Sequence, residues 1–257
     1  MLGLPELSYV LMLYVAVVIL ISGWVQGALG MGFPTIATPL IAAVSDMHTA
    51  VLLALIPCLA TVITNIIRSG TPHVVFERFW WLPLYMLGGS WLGTRLFIHY
   101  PQFPFALLLA AIILFYLNLE RLGRMQWPWM QRHQALVGAG LGFLAGVSEG
   151  TANISAPPLI IYLLGIGLTP MLMVPTMNLC FATGKATQLF TFVASGSVAP
   201  QFWLMTLPLA VIAVGASLHG ITVRQRITDA SYRRWLQRAL FVMALILLVQ
   251  YAYQWRG

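Results

Sequence analysis

The chain has 257 residues, of which 60% are hydrophobic and only 7% charged. Soluble domains average about 25% charged residues, so a soluble fold is excluded and an all-α bundle of membrane-spanning helices is expected. The net charge of +7 would suggest nucleic acid in a soluble protein, but most Arg residues sit at the ends of apolar segments. There they set membrane topology, and no nucleic-acid partner follows.

In chain order, eight segments are long enough, or nearly so, to cross the roughly 30 Å hydrocarbon layer. They lie near 8–29, 47–67, 79–97, 103–119, 135–149, 168–194, 201–222 and 235–253. The opening MLGLPELSYV has no positive residue before its apolar run, which predicts a retained first span rather than a cleaved signal. Two shorter apolar pieces, 33–44 and 153–166, are short for a span and also fit broken half-helices.

Each short piece follows an interruption. Gly23–Leu40 reads GWVQGALGMGFPTIATPL, and Gly142–Leu159 reads GFLAGVSEGTANISAPPL, with Gly23, Gly27, Pro39 and Leu40 each matched 119 positions later. Gly30, Gly32 and Pro34 break the first helix pattern; Gly150, Asn153, Pro157 and Pro158 break the second. Backbone groups freed at membrane depth survive only inside protein or beside a watery cavity. Matched interruptions in two halves are the best sequence pointer to a transporter binding site.

The echo continues with Cys58 and Cys180, Ser69-Gly70 and Ser195-Gly196, Pro83 and Pro208, and Gly88/Gly93 and Gly215/Gly220. This collinear series implies duplication. The expected organisation is a first membrane repeat over 1–120, a basic cytoplasmic linker over 121–134 and a second repeat over 135–257. The Arg-bearing connections 120–134 and 223–238 share a side only with an even number of crossings between them. Counting the short pieces then gives five crossings per half, an odd number, so the repeats should be inverted.

Lys185 is the only lysine and lies mid-segment in NLCFATGKATQLFTF. An ionisable group at such depth faces a cavity or a partner, and a compact ammonium suits an oxyanion that must be released again. Glu149, inside the second break, reads as a proton carrier, as a fixed partner of Lys185, or as a charge at a helix N-terminus. Short helices starting near Phe33 and Asn153 would aim free N–H groups and positive dipole ends at the breaks.

The expected substrate contacts are Lys185, Gln26, Gly30, Gly32, Thr35, Asn65, Ser148, Gly150, Thr151, Asn153, Asn178 and Gln188, with Glu149 in proton coupling. Asn178 and Lys185 are two helical turns apart and share a face. The His residues are scattered at segment ends, and there is no Gly-Lys-Ser/Thr phosphate loop, so no metal and no cofactor are expected. Cys58 and Cys180 lie in apolar segments and read as small buried residues, not a disulfide.

GALGMGFPTIATPL, its echo GVSEGTANISAPPL and the following NLCFATGKATQLFTFVASG resemble the TauE/SafE (TSUP) family of sulfite exporters. That resemblance implies a duplicated protein of about eight spans that carries sulfite, sulfonates or related small sulfur and organic oxyanions across the inner membrane. The expected activity is therefore secondary anion transport by alternating access, coupled to protons, with no enzymatic chemistry. The rival expectation is a membrane-embedded enzyme or an assembly factor without transport activity.

Overall fold

The computed structural model describes residues 9–70, 72–100, 128–196, 198 and 200–226, with single positions between 228 and 245. The expected span 103–119, most of 235–253 and the basic residues Arg121 and Arg124 lie outside the described residues. All regular structure among the described residues is helical. In the first half it comprises α1 (Tyr9–Leu29), α2 (Phe33–Ala42), α3 (Met47–Arg68), α4 (Pro72–Phe79) and α5 (Trp81–His99). A short α6 (Pro128–Arg132) falls within the expected linker. The second half comprises α7 (Gln134–Ala152), α8 (Ala156–Gly165), α9 (Pro170–Ala194), α10 (Pro200–Met205) and α11 (Leu207–Arg224).

Among the described residues, four stretches are long and apolar enough to cross a membrane: Leu11–Leu29, Met47–Arg68, Gln134–Ala152 and Gln201–Arg224. Outward faces are apolar, with Leu20, Ile63, Leu84, Phe190 and Val211 exposed. Polar side chains turn inward instead: Gln26, Asn65, Glu149, Asn178, Lys185 and Gln188 are all buried. That inversion of the soluble pattern is what a bilayer solvent demands.

The series long, short, long, short, long occurs in both halves. The sequence did not suggest α4, an eight-residue helix begun by Pro72, nor the interruption at Thr206 between α10 and α11. Both α4 and α10 follow a Ser-Gly pair. In each pair the serine hydroxyl donates to a carbonyl three residues back, Ser69 to Ile66 and Ser195 to Phe192. In each, the glycine has positive φ, 72° at Gly70 and 64° at Gly196.

Helix pairing is reciprocal between the halves. α1 lies along α11, and α7 lies along α5; α3 also packs on α11, and α9 on α5. Small residues make these approaches possible. A Cβ added at Gly27 would collide with the backbone of Ser217, and one at Gly146 with the backbone of Met86 and Ser90. Likewise Gly220 sits against Trp24 and Ala28, and Gly93 against Val147. These partners keep the offsets of the sequence echo: 119 for Gly27/Gly146 and Ala28/Val147, and 127 for Ser90/Ser217 and Gly93/Gly220. Gly88 and Gly215 meet no such backbone; Gly88 has only a ring carbon of Phe143 at 3.9 Å, and Gly215 opens onto free space.

Candidate functional site

The two helix breaks meet in the interior. α1 ends at Gly30 (φ 73°) and α2 starts from Gly32 (φ 102°), two left-handed positions that glycine tolerates and L side chains rarely adopt. Gly32 has no side chain with which to cap α2. Gln26, one turn back in α1, does so instead: its Oε1 accepts from the Phe33 N–H at 3.1 Å. Its Nε2 donates to the Gly30 carbonyl at 3.3 Å and to Asn178 Oδ1 at 3.1 Å. Asn178 Nδ2, from α9, donates to the same Gly30 carbonyl at 2.9 Å. The freed backbone of the first break is thus satisfied by two buried amides, as its depth requires.

The second break turns at Asn153, left-handed with φ 58°, a conformation asparagine accepts at helix ends. This corrects the expected start of the second short helix. Asn153 closes α7 and Ser155 precedes α8, which begins at Ala156. Asn153 Nδ2 donates to Thr38 Oγ1 of α2 at 2.7 Å, joining the two breaks directly. Its Oδ1 accepts from Lys185 Nζ. Lys185 also donates to Gln188 Oε1 at 3.0 Å and stands 2.5 Å from Glu149 Oε1. Gln188 Nε2 reaches the Glu149 carbonyl at 3.4 Å.

Lys185 and Glu149 are each 1% exposed. Glu149 lies in the last turn of α7, where the helix dipole disfavours a carboxylate, so the ammonium is its compensation. Gly184 makes room for the pair: a side chain there would press within 3.3 Å of Glu149 Cγ. Among the described residues Glu149 Oε2 has no hydrogen-bond donor.

A narrow pocket opens on this pair, lined by Gln26, Gly32, Pro34, Thr35, Cys58, Glu149, Ser155, Ala156, Phe181 and Lys185. It is pinched, with room for about one water molecule. Thr35 and Ser155, one from each break, are among its walls, and Ser155 makes no side-chain cap to α8.

The short helices offer fewer free N–H groups than their positions in the sequence imply. Phe33 N–H is taken by Gln26, Pro34 has none, and Pro157 and Pro158 remove two donors from α8.

Of the residues expected at a substrate site, Lys185, Gln26, Gly32 and Thr35 line this pocket, and so does Glu149, expected in proton coupling. Asn153, Asn178, Gln188 and Gly30 form the hydrogen-bonded wall behind it. Four others lie elsewhere. Asn65 bonds Ser217 at 3.3 Å and accepts from Arg224 at 3.0 Å, between α3 and α11. Ser148 and Thr151 donate to carbonyls of their own helix, and Gly150 packs on the α5 backbone at Ser90 to Thr94.

Sequence reasoning overlooked Cys58, a pocket wall residue that apolar context alone could not distinguish from core. Its one signal was the echo with Cys180, whose segment carries Lys185.

The family model described as "Sulfite exporter TauE/SafE" matches residues 15–251, nearly the whole chain. Comparison with curated proteins and with solved structures gave no significant match.

Proposed function

Since the chain belongs to the TauE/SafE sulfite exporter family, whose members are multi-pass membrane transporters and not enzymes, we propose that it carries a small sulfur or organic oxyanion across the inner membrane through the pocket between its two helix breaks. Lys185 is the counter-charge; Thr35, Ser155 and Gln26 orient the oxyanion. The observation that carries this reading is one buried lysine facing a pocket built from both breaks.

Alternating access is part of this reading. The two halves form inverted repeats of five crossings each, and rocking one against the other opens the pocket to each side in turn. The reciprocal pairing of α1 with α11 and of α7 with α5 supports such a two-fold relation. Glu149 couples transport to protons, because an anion competes with it for Lys185.

Flux of sulfite and of methanesulfonate into liposomes containing only this protein tests the proposal. Saturable flux above that of protein-free liposomes is expected. Flux no faster than in protein-free liposomes, for every sulfur oxyanion tried, refutes it and favours a membrane factor that moves nothing.

A further inference from the structure

The pocket's charge count goes further than the identity of its counter-charge. Of the residues lining it, Lys185 and Glu149 are the one pair of opposite formal charge; they stand 2.5 Å apart and their charges cancel. From the charge balance we infer that the site accepts one monoanion together with one proton, so that every transport step is electrically neutral. This inference rests on the transport reading above and adds its stoichiometry and charge class.

Glu149 already occupies the position of an anionic ligand, with Oε1 at 2.5 Å from the ammonium. A substrate anion reaching Lys185 has to displace it. Were Glu149 to stay ionised, two negative charges would face one positive charge in a site only 1% exposed. An uncompensated buried charge of that kind is strongly disfavoured.

Protonation of Glu149 removes the conflict. Oε2, the carboxylate oxygen without a donor, is where the proton adds, and the resulting O–H can donate to the incoming oxyanion. Among the described residues no other group takes over this part. α9 presents Lys185 and the neutral Gln188 to Glu149, α5 presents Met86 and Ser90 in its vicinity, and α3 presents the Cys58 thiol. The first break adds Gln26 and Thr35, and the second Ser155. Apart from Lys185, none of these is a charged side chain. Loaded and unloaded pockets then have the same net charge of zero. A dianion would leave the loaded site at minus one and is rejected.

The test uses the full chain in liposomes, with labelled methanesulfonate as permanent monoanion, ethane-1,2-disulfonate as permanent dianion and an internal pH dye. One proton is expected to enter per methanesulfonate. The rate should change by less than twofold when a potassium–valinomycin potential of either sign is imposed, and the disulfonate should move at under a tenth of the monoanion rate. In Glu149→Gln, methanesulfonate flux should become potential-driven and lose its pH dependence.

Wild-type flux that follows the potential, or a disulfonate rate equal to the monoanion rate, overturns the inference while leaving anion transport standing. Absence of flux for both anions overturns the transport reading and this inference with it. The wild-type stoichiometry decides the question even where Glu149→Gln fails to insert.

Discussion

Asn178 and Lys185 stand on one face of α9 and hold one helix break each. Asn178 binds the Gly30 carbonyl at 2.9 Å, and two turns later Lys185 binds Asn153. A single helix therefore fixes both interruptions relative to each other. Sliding or rotating α9 must disturb both at once, which is what a transporter needs if its site is to open as a unit.

The first break should be sensitive to loss of its side-chain cap. Gln26→Leu removes the acceptor of the Phe33 N–H and one donor to Gly30. Leaving a buried donor unpaired costs about 1–3 kcal/mol. A clear fall in the midpoint of thermal unfolding in detergent is expected for Gln26→Leu, with Gln26→Glu intermediate because it retains the acceptor. Equal midpoints for Gln26→Leu and wild type would contradict this wiring.

Small-residue packing should respond in matched pairs. Gly27→Ala and Gly146→Ala each drive a methyl into backbone of the opposite half, whereas Gly215→Ala meets open space. Overpacking of this kind costs about 1–3 kcal/mol. Size-exclusion profiles and unfolding midpoints should therefore be degraded for both buried variants and unchanged for Gly215→Ala. A tolerated Gly27→Ala alongside a damaging Gly146→Ala would argue against equivalent roles in the two halves.

The reach of the sequence stopped at identifiable places. Helix periodicity and the doubled Gly/Pro interruptions located α2, and the solitary lysine pointed to the pocket; α7, expected to end at 149, runs on through Gly150 to Ala152. The start of α8 was misplaced by three residues because Asn153 looks like a helix start in sequence but adopts a left-handed end in space. Asn65 has the same composition signal as Asn178, yet tertiary packing gives it Ser217 and Arg224 as partners instead. Cys58 reads as core in the sequence because lining a pocket leaves no trace in hydropathy. Nor could spacing reveal that Gln26 takes the Phe33 N–H at the start of α2.

Cys58 offers a chemical probe of the pocket. It lines the site, whereas Cys180 is buried outside it. A thiosulfonate reagent bearing a sulfonate group should label Cys58 slowly and Cys180 not at all, with methanesulfonate slowing the reaction at least severalfold. Mass spectrometry of the two cysteine peptides reads this directly; labelling of Cys180 instead would place the accessible cavity elsewhere.

Outside the membrane interior, Asp46 caps α3. Its Oδ1 accepts from the Thr49 N–H at 2.9 Å and its Oδ2 from the Thr49 hydroxyl at 2.6 Å. Partial burial pushes its pKa up, but these hydrogen bonds and the neighbouring His48 outweigh that and hold it below 3.8. A depressed carboxylate pKa stabilises the fold above the unfolded value, and the contribution fades as pH falls through the folded value. Asp46→Ala should cost about 1 kcal/mol at pH 7. Its unfolding midpoint should approach that of wild type below about pH 4, near the ordinary aspartate pKa. A gap that stays constant with pH would contradict the cap.

The most direct measurement of the central claim removes both charges of the buried pair together. Removing one partner of a buried ion pair strands the other at about 3–5 kcal/mol, whereas neutralising both is far better tolerated. The double variant Lys185→Met/Glu149→Gln should therefore insert and unfold much like wild type, yet carry less than a hundredth of the wild-type sulfite or methanesulfonate flux in liposomes. Full flux from this correctly inserted variant would contradict the account, because anions would then cross without the ammonium on which the site is built.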